Sequence, residues 1–193
     1  FFGHTHGYSR GQSKDHDHLW VNVATAGGSI DNWGEYPQAD YDEFTVTQDE
    51  WGFVVVDVEA GEDPQFVLKR ISRGNEAIYR DNEIRDEVVI RFNNTPPDQP
   101  IGLSPSDEQD PDLLVLSAED FSDVDGDDAM MAHWAVYQDC DLFSTPIVNE
   151  FVNMENWYYY ENTQESVELN QISISGLSAN SSYCWQVQYR DSS

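Results

Sequence analysis

Two histidines one residue apart stand near the start of the chain, boxed by glycines: Gly3-His4-Thr5-His6-Gly7, followed by Tyr8-Ser9-Arg10. An extended His-x-His puts both imidazoles on one side, because side chains alternate along a strand. Imidazole is the commonest side-chain ligand for borderline metals. Flanking glycines let the backbone turn sharply and let an ion or substrate approach. Two imidazoles do not complete a coordination sphere, so a bare His-x-His reads as a surface loop. Arg10 suits bidentate phosphate contact, and Tyr8 could brace the loop or touch substrate. An ion pair between Arg10 and one of the many carboxylates is the alternative. His16 and His18 repeat the spacing in Lys14-Asp15-His16-Asp17-His18, and the same incomplete sphere makes them a solvated loop.

Three further groups carry chemistry. Asp123, Asp125 and Asp127 alternate around Gly126. Hard cations want several oxygens, so calcium is one reading. No Glu closes a twelve-residue loop, and an Asp-rich inter-strand turn is the other reading. Cys140 and Cys184 are the only cysteines. One ends a strand and the other begins a neighbour, which makes a disulfide geometrically plausible. The side-chain parities of the two strands do not obviously agree, and spacing alone does not fix the Cα separation. Trp157-Tyr158-Tyr159-Tyr160 would send half its rings outward as a strand, for stacking on sugar or a partner.

The elements that position these groups read as short strands. Leu19–Ala24 stops at Gly27-Gly28. Trp51–Val58 is apolar and β-branched, the pattern of a fully buried strand. Phe66–Ile71 and Val88–Phe92 follow, and only Asn75–Asp86 admits a helical turn. Beyond Phe92, Leu113–Ala118, Ala132–Gln138, Ile147–Val152, Val167–Ile174 and Tyr183–Tyr189 are spaced by turn-rich segments, the rhythm of a sandwich. Between the two sets lies Asn93-Asn94-Thr95-Pro96-Pro97-Asp98-Gln99-Pro100. Its three prolines disfavour helix and make a semi-rigid linker.

Charge bounds the function. Of 193 residues, Lys plus Arg number 9 and Asp plus Glu 37, a net of −28. Such a chain offers no large cationic face for nucleic acid and is repelled by anionic membranes. No run of about 18 apolar residues exists to span a bilayer. A composition of 39% hydrophobic and 13% aromatic residues argues against disorder. Residues 1–92 hold 8 basic and 18 acidic side chains, and 93–193 hold 1 and 19, which sum to 9 and 37.

Phe-Phe-Gly-His-Thr-His-Gly-Tyr-Ser-Arg resembles the final motif of the calcineurin-like metallophosphoesterases, nearest the purple-acid-phosphatase branch. Leu19–Gly28, Trp51-Gly52-Phe53-Val54 and Phe66–Phe92 resemble the strands that follow it. The resemblance spans about residues 1–92, with only the first ten at motif grade. It implies a secreted phosphoesterase acting on phosphate esters through two metal ions (Zn, Fe or Mn). His4 and His6 would each donate one nitrogen, and Tyr8 and Arg10 would lie near substrate. Two cations about 3.5–4 Å apart clamp phosphoryl oxygens and generate a nucleophile. That chemistry also needs bridging carboxylates, which the family's Asp-x-His, Gly-Asp and Gly-Asn-His motifs supply. That set is not found here, so the chain reads as a piece cut from a longer protein and inactive alone.

Residues 176–191 resemble the tyrosine corner of immunoglobulin-like domains. Leu177 stands six positions before Tyr183, which opens an alternating strand, and Trp134 is a central core residue. With Pro96-Pro97 and Phe121–Asp127 the stretch resembles a fibronectin type III-like domain of a secreted bacterial hydrolase. The expected fold is therefore mainly β. It is the end of an α/β metallophosphoesterase sandwich (1–92), a linker (93–100) and a fibronectin type III-like sandwich lacking its last strand (101–193). Acidity and modular architecture favour an extracellular or periplasmic location. The alternative is a non-catalytic extracellular adhesion or carbohydrate-binding protein in which Gly-His-Thr-His is incidental.

Overall fold

The computed structural model describes residues 1–13, 16, 18–23, 25–33, 43–153 and 168–193. The described chain is mainly β and forms two compact units. One holds Phe1–Asn94, Asn153 and Ser192–Ser193; the other holds Thr95–Val152 and 168–191.

The first unit has two antiparallel sheets. Strands β1 (Tyr8–Gln12), β2 (Leu19–Asn22) and β3 (Phe44–Gln48) pair in the order β2-β1-β3. Strands β4 (Trp51–Glu59), β5 (Gln65–Gly74) and β6 (Tyr79–Arg91) pair in the order β4-β5-β6. β1 is central in its sheet and bulges between Arg10 and Gly11. A Cβ on Gly11 would lie 1.7 Å from the Glu43 carbonyl oxygen, so only glycine permits that approach. Tyr8, Val21 and Val46 from the first sheet share a core with Leu68 and Val88 from the second. Each such buried aliphatic side chain contributes about 1.5–3 kcal/mol.

Two expectations change here. β4 buries one face only. Val54 and Val56 pack on the core, whereas Phe53 and Val55 are 46% and 38% exposed. A continuous apolar run thus conceals a one-sided strand, since each alternate residue leaves the core whatever its polarity. The second concerns residues 75–86, which form no helical turn. Gly74 ends β5, the Asn75 Oδ1 accepts the N–H groups of Ala77 and Ile78, and β6 begins at Tyr79. Asparagine's local turn bonding overrides the helical reading.

The second unit has two sheets, β10 (Gln171–Ile174) with β7 (Leu114–Ser117), and β11 (Tyr183–Asp191) with β8 (Ala129–Gln138) and β9 (Val148–Asn153) in the order β11-β8-β9. β8 is buried along most of both faces, with Trp134, Met131 and Ala132 fully inside. Trp134 stacks against Trp185 of β11, ring centroids 5.7 Å apart. The Tyr183 hydroxyl accepts the Ser178 N–H at 2.9 Å, tying the start of β11 back to the preceding turn. Tyr189 donates its hydroxyl proton to the Glu119 carbonyl at 2.6 Å.

Cys140 and Cys184 are joined in a disulfide with Cα atoms 4.7 Å apart. The strand-parity objection fails because β8 ends first. Asp139 and Cys140 take left-handed φ values of 54° and 57°, which turn the chain back toward Cys184. Among the described residues no helix is long and apolar enough to cross a membrane.

Candidate metal-binding loop

The His4-Thr5-His6 segment is a loop rather than a strand, and β1 begins only at Tyr8. Alternation therefore does not set the two imidazoles on one side. Both histidines are exposed nonetheless. His4 has φ 126°, a backbone conformation that costs a non-glycine residue about 1–3 kcal/mol. Such a conformation persists only when its surroundings hold it.

Two neighbours hold this loop. Asn22, at the end of β2 and 2% exposed, donates its side-chain N–H groups to the carbonyls of Thr5 at 2.9 Å and Gly7 at 3.0 Å. It grips the backbone on both sides of His6 from beneath. The Asp31 carboxylate accepts the His6 backbone N–H at 2.9 Å, and the Asp31 N–H donates to the His6 carbonyl at 3.1 Å. The second Asp31 oxygen faces the His6 Nδ1 at 3.9 Å.

Behind the loop sits a buried polar cluster. Arg10 donates to both Asp86 oxygens, Nε to Oδ2 at 2.6 Å and Nη2 to Oδ1 at 2.7 Å, and the Tyr8 hydroxyl donates to Oδ2 at 2.6 Å. Tyr8 is 1% exposed and Arg10 4%. Arg10 makes the ion pair expected as its alternative role, and the polar ends of Tyr8 and Arg10 both meet Asp86 within the unit. Burial pushes the Tyr8 phenol well up, and the Asp86 charge adds to that. Burial alone would push the Asp86 carboxyl up, but the hydrogen bonds and charge of Arg10 and the Tyr8 hydroxyl outweigh it and hold it below its ordinary value.

Arg70 extends the cluster. Its guanidinium lies over the Tyr8 ring at 5.0 Å, and Nη2 donates to the Glu50 carbonyl at 2.7 Å. Burial pushes it down to about 10, so it stays charged at neutral pH. A Cβ on Gly52 would meet Arg70 Nη1 at 2.7 Å, so that glycine makes room for the guanidinium. Glu50, itself fully buried, accepts from Ser72 and, at 2.9 Å, from Arg80. Arg10, Arg70 and Arg80 thus all bond to groups of the first unit itself.

The residues fit part of a metal pair. His4 and His6 offer two nitrogens, but among the described residues they belong to no group of three possible ligands. Among the described residues the sole group of three whose ligand atoms lie within 4.8 Å of one another is Asp123, Asp125 and Asp127. There Asp123 Oδ1 accepts the N–H groups of Asp125 at 2.8 Å and Asp127 at 3.2 Å, the geometry of an Asp-centred turn. Asp125 accepts the Thr95 N–H at 2.9 Å. His16 and His18 stack at 5.8 Å, and His18 meets the Trp20 ring at 4.7 Å. Trp157–Tyr160 lies outside the described residues.

No family model, curated protein or solved structure matches this chain. The loop's meaning therefore rests on its residues and their supports. Asn22 and Asp31 are the supports that motif reading passes over. Asn22 carries one weak signal, a lone polar residue between Val21 and Val23, and Asp31 carries none beyond its place after the Gly27-Gly28 turn.

Proposed function

We propose that the first unit is the closing part of a calcineurin-like metallophosphoesterase domain, near the purple-acid-phosphatase branch, in a secreted protein that hydrolyses phosphate esters. His4 and His6 supply two imidazole ligands to its metal pair. The observation that carries this reading is the loop itself. Two exposed histidines stand in one loop: His4 has a φ of 126°, and the backbone of Thr5, His6 and Gly7 is held by Asn22 and Asp31. Bound metal ions supply Lewis-acid stabilisation of phosphoryl charge. Asn22 fixes the loop's path, and the Tyr8–Asp86–Arg10 cluster anchors the strand that leaves it. The carboxylate ligands come from the family's other motifs, so this chain alone is inactive.

The second unit is read as a fibronectin type III-like module. Its support is the Tyr183 hydroxyl bonded back to Ser178, the strand orders β10-β7 and β11-β8-β9, and the buried Trp134. The disulfide is compatible with an oxidising, extracellular setting.

The test uses zinc and imidazole NMR. The chain has five histidines, and the account expects Zn²⁺ to shift the ring resonances of His4 and His6 together, leaving His133 unmoved. Shifts absent from both would end the metal reading. Robust metal-dependent turnover of p-nitrophenyl phosphate by the purified chain would contradict its predicted inactivity.

A further inference from the structure

Strand β4 lies at the edge of its sheet, and among the described residues β5 is its only strand partner. An edge strand presents a row of unpaired N–H and C=O groups, which proteins commonly blunt with Pro, Lys or a bulge. From Phe53 to Glu59 the strand carries neither Pro nor Lys and keeps one unbroken register with β5. The start of the edge is already taken: the Gly52 N–H donates to the Thr25 carbonyl at 3.0 Å, outside the sheet. That bond fixes which groups face outward. Successive residues of a strand turn their N–H and C=O to opposite sides. With Gly52 turned away from β5, Val54, Val56 and Val58 turn away too, while Phe53, Val55 and Asp57 bond to β5. Val58 is also the most exposed of the strand's large apolar residues, at 78%.

Charge selects the occupant of this edge. The carboxylates of the segment, Asp57 and Glu59, both stand in its second half, after the apolar run Phe53-Val54-Val55-Val56. A parallel copy would set Asp57 against Asp57 and Glu59 against Glu59, which like charges disfavour. An antiparallel copy sets the acidic half against the apolar half. A two-fold axis at Val56 pairs Val56 with Val56, Val54 with Val58, Val55 with Asp57 and Phe53 with Glu59. In that register the outward N–H and C=O groups of Val54, Val56 and Val58 meet those of the other copy as hydrogen-bonded pairs. Lys69 on β5, 3.1 Å from Asp57, offsets that carboxylate. We propose that two copies of this chain pair through their β4 edges, antiparallel about Val56, and join their β4-β5-β6 sheets into one. The contact is self-complementary and closes at two copies. It forms against the net charge of −28 on each copy, so salt that screens the repulsion strengthens it. Nothing in it depends on the phosphoesterase reading.

Sedimentation equilibrium and amide exchange on the wild-type chain test this together. The account expects the mass to double with rising concentration, more readily in about 0.5 M than in about 0.02 M NaCl. In step with the doubling, the amides of Val54, Val56 and Val58 become protected, whereas those of Phe53, Val55 and Asp57 are protected by β5 at every concentration. Val58→Pro removes one outward N–H and leaves the bonds to β5 in place. It should raise the dimer Kd about tenfold, because the two-fold axis makes the loss count twice. Val58→Thr keeps the N–H and should dimerise as the wild type does. A chain that stays monomeric at about 1 mM in high salt overturns the proposal. So does a dimer in which Val54, Val56 and Val58 remain unprotected, since another surface then forms it, and so does growth beyond two copies. If Val58→Pro also strips protection from Phe53 and Val55, β4 has left β5, and the wild-type exchange pattern decides alone.

Discussion

The first unit buries Arg10, Arg70, Glu50 and Asp86, and the second buries Trp134, Met131, Leu116 and Val136. The first unit also displays a histidine loop, whereas the second is closed by a disulfide and a tyrosine bonded to the turn before it. The difference follows from cost. A buried ion pair has to offset the desolvation of both charges, and it is seldom more stabilising than apolar packing of the same volume. It does give a fixed geometry, because each partner left alone is penalised. In the first unit that geometry includes Tyr8 and Arg10 on β1, the strand that follows residues 3–7. In the second unit the largest fully buried side chains are apolar, led by Trp134, Leu116 and Met131.

The contrast breaks most sharply at Asp86. Asp86→Ala leaves Arg10 and Tyr8 buried without their acceptor and should destabilise the first unit by about 3–5 kcal/mol. Residue-resolved hydrogen exchange checks it: amides in β1 and β6 lose protection while β8 and β11 keep theirs. If β8 and β11 lose protection equally, the units are not independent. Acid sharpens the same point. The Asp86 pKa is depressed in the folded chain, so its contribution is fully present above the ordinary carboxylate value of about 3.9. It is lost as pH falls through the folded value. The stability gap between wild type and Asp86→Asn should therefore hold at neutral pH and close below about pH 4.

The second unit has its own weak point. Replacing both Cys140 and Cys184 by Ala opens a crosslink between residues 44 apart. The chain-entropy model puts the loss at about 4 kcal/mol, with about 2–4 typical of measured bridges. Denaturant unfolding should show the loss in β8 and β11 signals, with β1 unaffected. A smaller step is Tyr183→Phe, which removes the acceptor for the Ser178 N–H and should cost about 1 kcal/mol. An undiminished melting temperature would make that hydroxyl dispensable to the module. The smallest effect concerns Asp123, Asp125 and Asp127. Their hydrogen bonds are those of a turn, so Ca²⁺ should raise the melting temperature no more than Mg²⁺ does. A selective rise with Ca²⁺ would make the group a calcium site.

Much of the β architecture was legible from composition, because alternating apolar residues and Gly- or Pro-bearing turns report strand and break directly. What escaped were elements whose buried residues are polar. β1 (Tyr8–Gln12) and β3 (Phe44–Gln48) are rich in Ser, Thr, Gln and Arg, and a buried polar strand lacks the apolar signature of a core. β6 was foreseen only from Val88, since Tyr79–Glu87 is charged and largely exposed. The disulfide stayed open because parity along a strand does not foresee where a left-handed turn ends it. The histidine loop was visible as a motif, but its two supports were not. Asn22 and Asp31 act through backbone groups far away in sequence, and the only local mark is the lone polar Asn22 between Val21 and Val23.

The central claim is that residues 3–7 are a metal-ligand loop. Mn²⁺ added in small amounts over a background of excess Mg²⁺, which occupies the carboxylates, gives the most direct test by paramagnetic broadening of amide resonances. The account predicts broadening centred on His4, Thr5 and His6 and reaching Asn22 and Asp31. Broadening centred on residues 123–128, with residues 3–7 remaining sharp, would contradict it.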